Sequence, residues 1–299
     1  MTFKTIPPCL ININGFFVDP GIRANPRSAS ISGICQSWGD YYSSLFSAES
    51  VDVRIQDSVF ENLTTRLPAD ACSSCEGPVS TWGPHSIRGN GTGKIPGLRW
   101  TPDGVLFDFL GQQWLWPDLV LNDSLDRGLL PLWQCTALIS LIFKKGDRLE
   151  HKNWRPISLL NIDYKICTTT VAGRLLKVLH HVILPNQTYS IRGRFIGENV
   201  TLLQDVVDFA TETGRPITIL SLDQEMAFDR LDWGFLFKTL THLGLGPSFI
   251  KWVQLFYDNI RSVVLVDGYK SGFFFPSRGV RQGCPLSPLL YVISIEVSG

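Results

Sequence analysis

The 299-residue chain offers no run of about eighteen uninterrupted apolar residues, so a membrane-spanning helix is not expected. Its richest stretch, Leu129 to Phe143, is broken by Pro131, Gln134, Thr136 and Ser140 and reads as core. Net charge is also lacking: 27 basic residues balance 27 acidic ones, so bulk charge names no partner. The seven cysteines are odd in number and scattered, which excludes a small secreted disulfide framework and predicts reduced thiols inside a cell, in cytoplasm or nucleus. Cys72 and Cys75 form one CxxC pair, but without a second pair or a His at ligand spacing it reads as incidental, not as a zinc or redox site. The N-terminus, MTFKTIPPCLINING, has Pro7 and Pro8 and no small-residue cleavage site, so no signal peptide is expected and triplets such as Asn62-Leu63-Thr64 read as chance. Gly89 to Lys94 fails as a phosphate loop, because Arg88 and Ile95 stand where a Gly and a hydroxyl are required. No internal repeat occurs.

What is present is a 44% apolar chain with the makings of a large core. Residues 1–35 alternate short apolar stretches with Pro, Gly, Ser and Asn and read as irregular or disordered. In the next segment Val51, Ile55, Val59 and Leu63 recur every four residues, predicting an amphipathic helix that ends before Pro68. Residues 71–104 are rich in Gly, Pro and Ser, as a linker is. Beyond Leu130 strand-like and helix-like segments alternate. ALISLIF (137–143) predicts a buried strand, a second strand begins near Arg155, and Tyr164–Val182 carries a helical stripe. Glu198–Thr213 reads as a helix closed by Gly214, and PITILSLD (216–223) as a short buried strand. Asp232 is placed to cap a helix to Leu243, Pro247–Asn259 predicts another, and Asp267-Gly268 marks a hairpin after SVVLV. A last helix is entered near Pro285.

Three constellations carry chemistry. In ILSLDQEMAFDRLDW (219–233), a strand ending in Asp223 would hold out a carboxylate suited to a hard cation such as Mg²⁺; equally, Asp223, Asp229 and Asp232 would serve as helix caps. In RGVRQGCPLSPLL (278–290), a Gly-rich turn lets the backbone approach a nucleotide beside Gln282, or is a plain turn. In LIFKKGD (141–147) and NWRPISLL (153–160), Lys145 and Arg155 are placed to grip a triphosphate, or lie on a solvated hairpin. Residues 144–194 hold ten basic residues against three acids, a candidate phosphate-contacting stretch or a solvated face.

Taken in order, LIFKKGDRLEHKNWRPISLL, RGRFIGEN, SLDQEMAFDRLDW, GPSFIKWVQLFY and RGVRQGCPLSPLL resemble the reverse transcriptases of LINE-type (non-LTR) retrotransposons. The resemblance runs from about Asp103 to Gly299. It implies an α+β, right-hand polymerase fold of fingers and partial palm over 103–299, behind a helical and linker region at 36–102. It implies RNA-directed DNA synthesis, with an RNA template, a DNA primer and deoxynucleoside triphosphates as partners, by two-metal transfer using Mg²⁺. By position, Asp223 matches the first catalytic carboxylate and, with the backbone of Gln224, a metal contact. Phe228 matches the bulky residue that excludes a ribose 2′-hydroxyl, and Ala227 would sit beside the triphosphate. Arg155 with Lys144 or Lys145 matches the residues that hold incoming phosphates. Gln282 and Gly283 match the segment under the nucleotide. Arg192, Arg194, Arg278 and Arg281 are the cations expected to meet nucleic acid.

The match has gaps. The family carries two further Asp residues in a Tyr-x-Asp-Asp hairpin and then a thumb, and no Asp-Asp pair occurs in this sequence. The 299-residue polypeptide is therefore expected not to polymerise DNA by itself, leaving a nucleic-acid-binding remnant or a translated pseudogene as alternatives. Met226 stands where the family usually has Lys, and Gly93 to Trp116 matches only in broken form. Uncovered apolar surface and an unpaired strand edge are expected near the palm.

Overall fold

A computed structural model of the chain describes residues 30–61, 63–77, 115–191 and 193–298. The stretch around Gly89 to Lys94 and most of the Gly93 to Trp116 segment lie outside the described residues, as does Arg192.

The sheet is built on β1 (Thr136–Phe143), whose alternation of buried and less buried residues follows the two-residue period of a strand. It pairs antiparallel with β2 (Trp154–Leu159) and parallel with β3 (Arg261–Val266), which turns back into the two-residue β4 (Tyr269–Lys270), for an order β2-β1-β3-β4. The β3–β4 turn is the one expected: Asp267 and Gly268 both adopt positive φ, +48° and +82°, which matches the right-handed twist of the flanking strands.

Helix α1 (Ile31–Leu45) lies on one face of this sheet. Residues 31–35 are thus helical and not irregular; Ser30 caps the helix by accepting from the Gly33 amide at 3.1 Å. Cys35, Trp38, Tyr42 and Leu45 recur at helical spacing and form, with Ile139, Leu141, Trp154, Val264, Val266 and Phe274, a smaller core. The next helix, α2 (Val53–Glu61), does not bury the Val51–Ile55 stripe. It is short, Ile55 is 65% exposed, and Phe60 instead anchors it against the rings of Phe235 and His242. After it come α3 (Ala69–Cys75), α4 (Leu115–Arg127) and the one-turn α5 (Leu132–Cys135).

The larger core centres on α6 (Ile162–Val178), which buries Tyr164, Cys167, Val171, Leu175 and Val178. Around it pack α8 (Trp233–His242), α9 (Pro247–Tyr257) and α10 (Ser287–Ser298). Asp232 caps α8 as expected, its carboxylate accepting from the Phe235 amide at 2.7 Å. Glu76, just past α3, caps α9 from a distance in sequence: its two carboxylate oxygens accept from the Ser248 and Phe249 amides, each at 3.0 Å.

Helix α7 (Ile196–Thr213) ends at Gly214 in the left-handed conformation, again as expected, but Ala210 is its one buried residue. The strand expected at 216–223 is not formed. These residues run without ladder partners and with Leu220 77% and Leu222 83% exposed. The physical reason is that β propensity yields a strand only beside another strand, and the β2-β1-β3-β4 sheet does not reach this segment.

Candidate functional site

The two loops that precede α8 and α10 meet at the end of β2. In the first, the Asp229 and Arg230 amides both donate to the Met226 carbonyl, at 2.8 and 3.0 Å, closing a turn in which Met226 takes φ +54°. In the second, Gly279 and Val280 donate to the carbonyls of Leu231 and Phe228, each at 2.7 Å, stitching the loops together. Two glycines make the approach possible. A Cβ on Gly279 would fall 2.6 Å from the Asp229 carbonyl oxygen, and one on Gly283 would fall 2.7 Å from that of Ser158; both sit at positive φ. The Ser158 amide in turn donates to the Gln282 carbonyl at 2.7 Å, so the second loop extends the hydrogen bonding of β2.

A cleft of about 810 Å³ opens where these parts converge. Its cationic wall comes from the β1–β2 turn: Lys144, Lys145, Lys152 and Arg155. Arg155 stands opposite Ile142 in the strand register, which puts it next to the lysines that follow β1. The acidic wall is Asp223, Glu225 and Asp229, with Gln224, Ala227 and Phe228 between them, and the floor includes Gln282 and Gly283. Three segments distant in sequence thus share one cavity. The sequence-predicted residues Lys144, Lys145, Arg155, Asp223, Gln224, Ala227, Phe228, Gln282 and Gly283 all line it.

Asp223 is exposed on this wall, not held at the edge of a sheet. Phe228 stacks on Tyr291 at 4.7 Å between centroids, and Tyr291 donates its hydroxyl to Gln224 Oε1 at 2.8 Å, so α10 fixes both neighbours of Asp223 and Ala227. Asp229 is 2% exposed, and burial pushes its carboxyl up to about 6, against the opposing pull of its hydrogen bond from Gln282 and of the charges on Lys144 and Arg155. Of the three acids that the sequence offers as possible caps, Asp232 fills that role, and Asp229 lines the cleft.

Three further expectations concern arginines. Arg278 and Arg281, expected to face nucleic acid, are each 6% exposed. Arg278 donates to the Leu45 carbonyl at 2.8 Å and pairs with Glu49 at 2.7 Å, which holds the Glu49 carboxyl below its ordinary value. Arg281 donates to the Cys135 carbonyl at 2.6 Å and lies over the Tyr164 ring. Both are internal ties between distant segments, because the carbonyls they satisfy would otherwise be buried alone. Arg194 is half-buried and donates to the carbonyls of Ile183, Leu184 and Gln187.

Asp223 and Gln224 line the cleft side by side, and a carboxylate with a neighbouring main-chain oxygen is a donor set that would suit a hard cation. Among the described residues no group of three or more His, Cys, Asp or Glu is placed to form an all-protein metal cage. No helix among them is long and apolar enough to cross a membrane.

Residues 142–298 match the family model described as reverse transcriptase (RNA-dependent DNA polymerase). The chain is 43% identical over 207 residues to the transposon TX1 uncharacterized 149 kDa protein of Xenopus laevis, covering 68% of this chain and 16% of that protein. It is 32% identical over 277 residues to the RNA-directed DNA polymerase from mobile element jockey of Drosophila melanogaster, covering 91% of this chain and 27% of that protein. Over 177 residues it is 30% identical to the retrovirus-related Pol polyprotein from type-2 retrotransposable element R2DM of the same fly, covering 59% and 17%. The chain therefore spans between 16% and 27% of the length of these relatives.

Proposed function

Because the chain belongs to the reverse transcriptase (RNA-dependent DNA polymerase) family, among relatives from non-LTR retrotransposons, we propose that its cleft binds the incoming deoxynucleoside triphosphate of RNA-directed DNA synthesis. The observation that carries this reading is the convergence of Lys144, Lys145 and Arg155 on one wall with Asp223 and Phe228 on the other. Arg155 offers a planar fork to phosphate oxygens and the lysines add positive charge, which together hold the triphosphate. Phe228, braced by Tyr291, closes the space in which a ribose 2′-hydroxyl would lie. Gln282 and Gly283 form the floor beneath the sugar and base. Asp223 and the Gln224 carbonyl would hold Mg²⁺, which in two-metal phosphoryl transfer supplies charge neutralisation for the primer 3′-hydroxyl and the departing pyrophosphate. An RNA template and a DNA primer are the corresponding macromolecular partners.

We infer further that the 299-residue polypeptide by itself binds nucleotide without extending a primer, since that chemistry draws on several carboxylates gathered at one point. The test is titration of a fluorescent deoxynucleoside triphosphate with Mg²⁺, followed by anisotropy. Arg155→Ala is expected to weaken binding at least about 10-fold, as loss of a charge-assisted pair does. Phe228→Ala is expected to let the matching ribonucleotide compete. Equal binding by wild type and Arg155→Ala would refute the site, and primer extension by the purified chain would refute the restriction to binding.

A further inference from the structure

Gln282 is held at both ends. Its carbonyl accepts from Ser158 on β2, and its side-chain Nε2 lies 2.9 and 3.0 Å from the two carboxylate oxygens of Asp229. A carboxylate only accepts, so the amide must turn its nitrogen toward Asp229 and its oxygen away. Gln282 Oε1 has no partner among the described residues, on a side chain that lines the cleft. Asp229 itself cannot drift: its amide is fixed to Met226, its carbonyl is packed against Gly279, and its side chain is buried.

We propose that Asp229 is a positioning residue of the nucleotide site, clasping the Gln282 amide so that the cleft floor presents a hydrogen-bond acceptor, and only an acceptor, to the bound nucleotide. The inference rests on the nucleotide-binding reading above. Its consequence is a preference for a ligand group that donates a hydrogen bond, and a free amide in place of the clasped one would present either polarity. Asp229 acts through Gln282, whose amide its carboxylate holds. It also adds a side-chain tie between the loop that carries Asp223 and Phe228 and the loop that carries Gln282, beside the main-chain bonds of Gly279 and Val280.

The experiment measures affinity of the full chain for a fluorescent deoxynucleoside triphosphate with Mg²⁺. Gln282→Glu, which sets carboxylate against carboxylate, is expected to weaken binding about 10-fold or more. Adding Asp229→Asn to Gln282→Glu reverses the polarity of the clasp while keeping an acceptor toward the cleft, and is expected to recover most of the loss. Asp229→Leu is expected to lose about as much as Gln282→Leu, and the double Leu variant no more than either alone, since both act through one contact. A merely structural Asp229 predicts losses that multiply and no rescue of Gln282→Glu by Asp229→Asn, and either result overturns the proposal. If the Leu variants fail to fold, the Glu and Asn pair alone decides. Wild-type chain that binds no nucleotide overturns the underlying reading and the clasp with it. Wild-type binding that is lost in Arg155→Ala but indifferent to both members of the clasp overturns the clasp only.

Discussion

Asp229→Asn separates charge from shape on the wall of the cleft. The wild-type carboxyl is lifted by burial from 3.8 to about 6. The folded state thus holds this proton more tightly than the unfolded chain does. The stability contributed by the group is complete below about 3.8 and is lost as pH rises through about 6. At about 1.4 kcal/mol per unit, a gap of about 2 units makes the buried charge cost roughly 3 kcal/mol once both states are ionised. Asn keeps the outline of the side chain and one acceptor for Gln282 but carries no charge, so the pH-dependent cost disappears. The lost second acceptor costs about 1 kcal/mol at every pH and cancels when two pH values are compared. Urea unfolding of both proteins near pH 4 and near pH 8 is the assay. The stability of the variant relative to wild type is expected to rise by roughly 2 kcal/mol between the two, because at pH 4 the wild-type penalty is only partly relieved. A relative stability that is the same at both pH values would refute the assignment of a buried, reluctant charge at this position.

Other perturbations read other parts of the frame. Gly283→Ala should cost more than about 3 kcal/mol in urea unfolding, since it forces a positive φ on a residue with a Cβ and drives that Cβ against the Ser158 carbonyl; a loss under about 1 kcal/mol would mean that the loop can step away from β2. Glu76→Ala should cost about 1 to 2 kcal/mol by leaving the first amides of α9 without acceptors, while Glu76→Gln, which keeps one acceptor oxygen, should lose less; equal losses would argue that the cap is electrostatic alone.

The α+β fold was legible in the sequence wherever the determining signal was local. The Asp232 cap, the Gly214 stop, the Asp267-Gly268 turn and the alternation in β1 each depend on a few neighbouring residues, and each stands where the sequence placed it. The polymerase-type assignment likewise followed from motif order, and residues 142–298 match the reverse transcriptase family. What was not legible depended on partners distant in the chain. Residues 216–223 have the composition of a strand, yet no neighbouring strand lies beside them. Arg278 and Arg281 look like surface cations until Leu45 and Cys135, 233 and 146 positions away, supply the carbonyls that draw them inside. Asp229 sits among acids that all resemble caps, and only the arrival of Gln282, 53 residues later, sets it apart.

The parallel pairing of β1 with β3 also governs how the molecule comes to exist. Thr136 aligns with Arg261, 125 positions later, so the first strand is made long before its neighbour. At about 5 to 20 residues per second that is a wait of roughly 6 to 25 seconds, during which β1 has only the hairpin with β2 to cover its edge. Pairings of such long range close slowly because the intervening chain must first be confined. Closure of the sheet thus waits for β3, and until it arrives the β1 edge that it will cover, along Ala137 and Ile139, is open to chaperones and to aggregation.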